Sequence, residues 1–73
     1  MQNQSVGELL ILCQEILRGK VNTDNASIIR NGNTCLDISD MRIVTVVEEF
    51  VTKEELKRLE NTVLNYGFSF TSY

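Results

Sequence analysis

The feature that most restricts the fold is a turn at Asn31, Gly32 and Asn33, which separates two runs rich in strand-forming residues. An Asn-Gly pair between two such runs is the strongest short-range signal for a β-hairpin. Residues 26–39 are therefore predicted to form two antiparallel strands.

Two registers of this hairpin are possible. A two-residue loop would pair Ile28 with Cys35 and scatter the apolar side chains over both faces of the sheet. A three-residue loop, with Asn33 in the left-handed conformation that Asn tolerates, pairs Ile28 with Leu36 and places the apolar side chains on one face. We therefore expect the three-residue loop. The outer face of the hairpin then carries Ser27, Ile29, Cys35 and Asp37.

An amphipathic helix is predicted before the hairpin, over residues 5–20, because its apolar side chains recur at helical spacing. Ser5 and Glu8 have the spacing of a capping box, in which the two residues satisfy each other's backbone amides. Gly19 is the expected C-terminal stop. One apolar residue, Ile11, falls on the face that should be solvated.

A second helix is predicted over residues 52–67, with Thr52 and Glu55 as its capping box and Gly67 at its end. Residues 68–73 then alternate between apolar or aromatic and small polar side chains, which indicates a final strand.

Residues 40–51 are ambiguous. The β-branched run over residues 43–47 favours a strand, but a strand would place apolar side chains on both faces. As a helix, with Ser39 as its N-cap, the segment has one apolar stripe, and we expect the helix. The predicted fold is a single α+β domain over residues 1–73, of order α-β-β-α-α-β, with α-β-β-β-α-β as the alternative. In both, helices pack on one face of an antiparallel sheet.

The residue types argue against catalysis and metal binding. The chain has no histidine, and its two cysteines are too few for a tetrahedral site within one chain. Cys13 falls on the apolar stripe of the first helix and is expected in the core, whereas Cys35 is expected on the outer sheet face. We therefore expect a non-enzymatic protein without a cofactor or metal.

Net charge and hydropathy indicate which kinds of ligand and which cellular compartment suit this chain. The net charge of −3 disfavours binding to nucleic acid, because phosphate neutralisation needs clustered Lys and Arg. The first residues lack the pattern of a signal peptide, and the longest apolar run is too short to cross a bilayer. A cytoplasmic protein with reduced thiols is expected, or one in the host cytoplasm if a phage encodes it.

Apolar residues outside the predicted core are the remaining functional signal. Ile11, Ile29 and Leu64 each break an otherwise consistent pattern, and Cys35 lies beside Ile29 on the outer face. These four residues are the candidate interface of a small acidic protein-interaction module. Such a module could be a homodimer, or a regulator or inhibitor of a larger partner, of a type common in bacteria and phages. The alternatives are a nucleic-acid-associated regulatory module and a small-ligand binder with a pocket between subunits.

Overall fold

The computed structural model describes residues 6–73, which form two α-helices, five strands and one short 3₁₀ helix. In chain order these elements are α1 (Val6–Leu17), β1 (Lys20–Asn22), β2 (Ser27–Arg30), β3 (Asn33–Ile38), β4 (Ile43–Val46), a 3₁₀ helix (Glu48–Phe50), α2 (Lys53–Asn65) and β5 (Ser69–Ser72). The capping box expected at Ser5 lies partly outside the described residues.

The five strands form one sheet in which their spatial order is the same as their order in the chain. The pairs β1–β2, β2–β3 and β3–β4 are antiparallel, whereas β5 runs parallel to β4. The expected antiparallel sheet is therefore only partly right. The physical reason is that α2 lies between β4 and β5 and carries the chain back along the sheet, as a parallel pair requires.

Both helices lie on one face of this sheet. The two helices contact each other, α1 contacts β1 and β2, and α2 contacts β5. Side chains from both helices and three strands fill the space between these layers. The buried apolar residues are Leu9, Leu10, Cys13, Leu17, Ile28, Cys35, Leu36, Ile38, Val44, Val46, Leu59, Val63 and Phe68.

The hairpin of β2 and β3 contains parts of both registers that the sequence allows. At its tip, Arg30 pairs with Asn33, so Asn31 and Gly32 form a two-residue loop with φ of 52° and 78°. Farther from the tip, Ile28 pairs with Leu36, as expected for the three-residue loop. A β-bulge joins the two registers.

The helix expected over residues 40–51 is not formed. Ile43–Val46 is a strand, as in the alternative order, and only Glu48–Phe50 is helical, as a 3₁₀ turn. The strand pairs with β3 on one side and β5 on the other. Val44 and Val46 are fully buried, whereas Ile43 and Thr45 are half-buried on the other face. A position inside the sheet thus suits a run with apolar side chains on both faces.

Ser39 organises a turn instead of capping a helix. Its hydroxyl oxygen accepts hydrogen bonds from the backbone N–H of Met41 at 3.2 Å and of Ile43 at 3.3 Å. Arg42 completes the turn with a φ of 62°. The same tendency of serine to bond nearby backbone amides thus supports a turn here and would support a cap elsewhere.

The first helix was expected to extend to residue 20, but it ends at Leu17. Arg18, not Gly19, has the left-handed conformation, with a φ of 57°. Lys20–Asn22 form β1, a strand that was not expected. A Cβ atom at Gly19 would lie 2.6 Å from the carbonyl oxygen of Ile29 and 2.8 Å from Cγ2 of Ile28. Gly19 therefore permits close packing between the end of α1 and β2.

The second helix confirms the expected caps. The backbone N–H of Glu55 donates to Oγ1 of Thr52 at 3.0 Å, and the N–H of Thr52 donates to Oε1 of Glu55 at 2.9 Å. At the other end, Gly67 has a φ of 90° and its N–H donates to the carbonyl of Leu64. The N–H of Phe68 donates to the carbonyl of Val63, which completes a Schellman motif.

Candidate interaction surface

The candidate interaction surface is the outward side of the two helices, where three apolar side chains are exposed. Ile11 is 50% exposed and Leu64 is 53% exposed, as their positions in the helical pattern indicate. Leu12, which follows Ile11, is 40% exposed. We call Ile11, Leu12 and Leu64 the helical apolar residues. They project from the layer whose opposite side fills the core.

Charged residues surround the helical apolar residues. Glu8 and Glu15, one helical turn on either side of Ile11, are exposed. Glu60, one turn before Leu64, is also exposed. Glu8 accepts a hydrogen bond from the Tyr66 hydroxyl, which connects α1 with the end of α2. An apolar side chain within a polar, charged rim is the pattern of a small contact site.

The outer face of the sheet is mostly polar. The pairing register places one row of side chains across all five strands on this face. The row consists of Asn22, Ser27, Asp37, Thr45 and Thr71. Ile29 lies on the same face, opposite Lys20 and Thr34, and is half-buried. Ile29 is therefore on the predicted face but contributes less apolar surface than Ile11 or Leu64.

Cys35 does not belong to the candidate surface. It was expected on the outer face, but its side chain is fully buried in the core, and its Sγ donates to the carbonyl oxygen of Ile28 at 3.4 Å. The reason is the bulge. Ile29 pairs with Thr34 and Ile28 with Leu36, so Cys35 is the extra residue and does not follow the alternation of a regular strand.

Both thiols are shielded from solvent. Burial raises the pKa of Cys13 to about 12 and is also the main cause of the raised pKa of Cys35. A thiol with a raised pKa is a poor nucleophile and metal ligand at neutral pH, because the thiolate is the reactive form. Cys13 lies in the core, as its place in the helical stripe predicts.

An ion pair that the sequence pattern does not reveal connects the sheet to α2. Arg30 donates to both carboxylate oxygens of Glu55, at 2.9 and 2.7 Å, and to the carbonyl oxygen of Phe50 at 3.0 Å. The hydrogen bonds from Arg30 lower the pKa of Glu55 to about 2, and the same partner raises the pKa of Arg30. Glu55 thus caps α2 and holds β2 against it.

Two further exposed apolar side chains were not expected. Met41, in the turn between β3 and β4, is 80% exposed, and Tyr73, which follows β5, is 73% exposed. Tyr73 bonds to the backbone at Val46 and Glu48, whereas Met41 precedes the other end of β4. These two residues therefore lie at opposite ends of one strand and do not form a single patch. The exposure of Met41 could have been predicted from the polar residues of the turn around it.

No protein-family model matches the chain, and no curated protein or solved structure is similar to it. Within residues 6–73, neither helix is long and apolar enough to span a membrane. Over the same residues, no group of three or more Cys, Asp or Glu side chains is arranged to hold a metal ion. Inference about function therefore rests on the geometry of the exposed surfaces.

Proposed function

We propose that this chain is a protein-interaction module that binds through the outward side of its helical layer. The observation that carries the proposal is the exposure of Ile11 and Leu12 on a helix whose opposite side is fully buried. A helix in a layered fold normally turns polar side chains outward. Three exposed apolar side chains on this layer give a partner apolar surface to cover.

The energetics suit a contact of modest strength. Burial of an aliphatic side chain that is half exposed releases roughly 1 kcal/mol, so the three helical apolar residues supply a few kcal/mol between them. A stable complex needs further contacts around them. Glu8, Glu15 and Glu60 provide charged groups at this rim, which favour a partner with a basic surface and speed its association.

In this proposal the chain has no catalytic role and acts by occupying a surface of another protein, as a regulator or inhibitor. A second copy of the same chain is the alternative partner.

The test compares three single variants with wild type. Ile11→Glu and Leu64→Glu each place a charge in the proposed contact. Thr71→Glu adds the same charge at an exposed polar position on the outer face of the sheet, opposite the helices, and is the matched control. Proteins captured from source-cell extract by each variant are identified, and binding is then measured with the purified partner. Sedimentation over a range of concentrations reports self-association. Circular dichroism checks that each variant is folded.

We expect Ile11→Glu to weaken binding of the purified partner by at least about tenfold, because a buried unpaired charge is costly. We expect Thr71→Glu to bind as wild type does. The proposal fails if Ile11→Glu and Leu64→Glu both bind the partner like wild type. It also fails if no purified protein binds and wild type sediments as a monomer at all concentrations.

A further inference from the structure

A shallow cleft lies where the end of α1 meets the tip of the β2–β3 hairpin. Its volume is about 370 Å³. The residues that line it are Arg18, Gly19, Lys20, Ile29, Arg30, Asn31 and Gly32. None of the helical apolar residues contributes to it, so the cleft is separate from the proposed protein-binding surface.

The lining of the cleft is basic although the chain is acidic. Three of the seven Lys and Arg residues of the chain, Arg18, Lys20 and Arg30, line it, and none of the ten Asp and Glu residues does. Arg18 and Lys20 are exposed. Arg30 also lines the cleft, but its guanidinium group is paired with the Glu55 carboxylate, which offsets its charge. The free positive charge of the cleft therefore comes from Arg18 and Lys20.

One glycine gives a ligand access to the backbone of the cleft. At Gly32, in the hairpin loop, an added Cβ atom would meet nothing within 4 Å, so this side of the cleft is open and a ligand can approach the main chain closely. Gly19 has a different role, because the space beside its Cα is filled by Ile29 and Ile28, which fixes the end of α1 against β2.

We infer that this cleft binds a small phosphorylated molecule of about mononucleotide size. Its volume is near the lower end of the range for small-molecule sites, roughly 300–1,000 Å³. Guanidinium and ammonium groups are the side chains that hold phosphate oxygens most strongly. The site lies within one chain and does not need a second subunit.

The test is a titration at constant ionic strength, so that general screening by salt does not imitate binding. The probes are inorganic phosphate, pyrophosphate and adenosine 5′-monophosphate. The double variant Arg18→Gln/Lys20→Gln removes the free charges of the cleft. The double variant Lys53→Gln/Lys57→Gln removes the same number of charges from α2 and is the matched control. Circular dichroism verifies the fold, and calorimetry measures affinity. Amide chemical shifts locate the site.

We expect at least one phosphorylated probe to bind wild type and the control with saturation, and to shift the amides of Gly19, Lys20 and Gly32. The cleft variant should bind it at least about tenfold more weakly. Preference for the monophosphate over pyrophosphate would assign the site to a nucleotide-like ligand, and the reverse to a polyphosphate group. The inference is overturned if no probe binds wild type, if both double variants lose binding equally, or if the shifted amides lie outside the cleft.

Discussion

No side chain fits at residue 19, because a Cβ atom on Gly19 would lie 2.6 Å from the backbone oxygen of Ile29. We expect Gly19→Ala to lower the free energy of unfolding by about 2–3 kcal/mol, since the clash is with main chain and not with a flexible side chain. Urea denaturation measures the change. Gly32→Ala is the control, with no clash but a positive φ, and should cost about 1 kcal/mol. Equal stability of Gly19→Ala and wild type would contradict the close packing.

The buried thiols allow a second prediction at the residue scale. Because Cys13 and Cys35 are both fully buried, neither should react with a maleimide while the protein is folded. Both should react as soon as urea unfolds it. Mass spectrometry counts the labels at each urea concentration, and the Cys13→Ala variant reports on Cys35 alone. Rapid labelling of Cys35 in the native protein would contradict its burial and would support the outer-face position predicted from the sequence.

The exposure of single side chains was predicted correctly from sequence where it depends only on their position on a helix. Ile11 and Leu64 are exposed, and Cys13 is buried, as the positions of these residues on their helices indicate. The predicted exposure of Cys35 was wrong, because a bulge depends on how two strands with different local registers are joined. Strand alternation cannot be followed through a bulge that the sequence does not mark.

The attachment of β2 to α2 through Arg30 and Glu55 leads to a prediction at the element scale. The pKa of Glu55 is lowered from 4.5 to about 2, so its carboxylate stabilises the folded state fully above pH 4.5. That stabilisation is lost as the pH falls from about 4.5 to about 2. Because both side chains are partly exposed, we expect the loss to be about 1–2 kcal/mol. Urea denaturation across this pH range measures it.

Two glutamine variants isolate the contribution of Glu55. Glu55→Gln keeps a side chain that can complete the capping box but removes the charge that faces Arg30. We expect this variant to be less stable than wild type at pH 7, and the difference to shrink towards pH 2. Glu54→Gln removes a neighbouring carboxylate of the same helical turn and should retain the pH dependence of wild type. Loss of the pH dependence in Glu54→Gln would show that the ion pair between Arg30 and Glu55 is not the source of that dependence.

Among the elements, those with local end signals were predictable from sequence and those defined by neighbours were not. The α2 helix has its capping box and its glycine stop in the sequence, and both are formed. The segment Ile43–Val46 has no such local signal. Its strand conformation depends on β3 and β5 on either side, which outweigh the helical pattern of its apolar residues. The short strand β1 was missed because three residues show no periodicity.

At the scale of the whole molecule, the shared core predicts cooperative unfolding. Buried side chains from α1, α2 and the strands belong to one cluster. Leu9→Ala in α1 and Val46→Ala in β4 should therefore each cost about 2–4 kcal/mol and shift the whole transition. Far-ultraviolet circular dichroism and cysteine labelling should report the same urea midpoint in each variant. Separate midpoints for helix loss and thiol exposure would show that helices and sheet unfold independently.

The two-layer arrangement of helices on a sheet was predictable from sequence, but the relative direction of β4 and β5 was not. Helical and strand patterns indicated helices on one face of a sheet, which is the arrangement that the structure has. The parallel pairing of β4 with β5 was not expected, since the alternative order with a strand before α2 was also expected to give an antiparallel sheet. The basic cleft was likewise not expected, since Arg30 joins Arg18 and Lys20 only after β1 pairs with β2.

The order of the strands has a consequence for the kinetics of folding. Each strand lies beside the strand that precedes it in the chain, so every pairing closes a loop between sequence neighbours. The longest of these loops contains α2. Because folding slows as the mean sequence separation of contacts rises, this sheet should form faster than sheets of similar size in which the strand order is permuted. We expect refolding within milliseconds to tens of milliseconds by stopped-flow circular dichroism, and a main phase of seconds would contradict it.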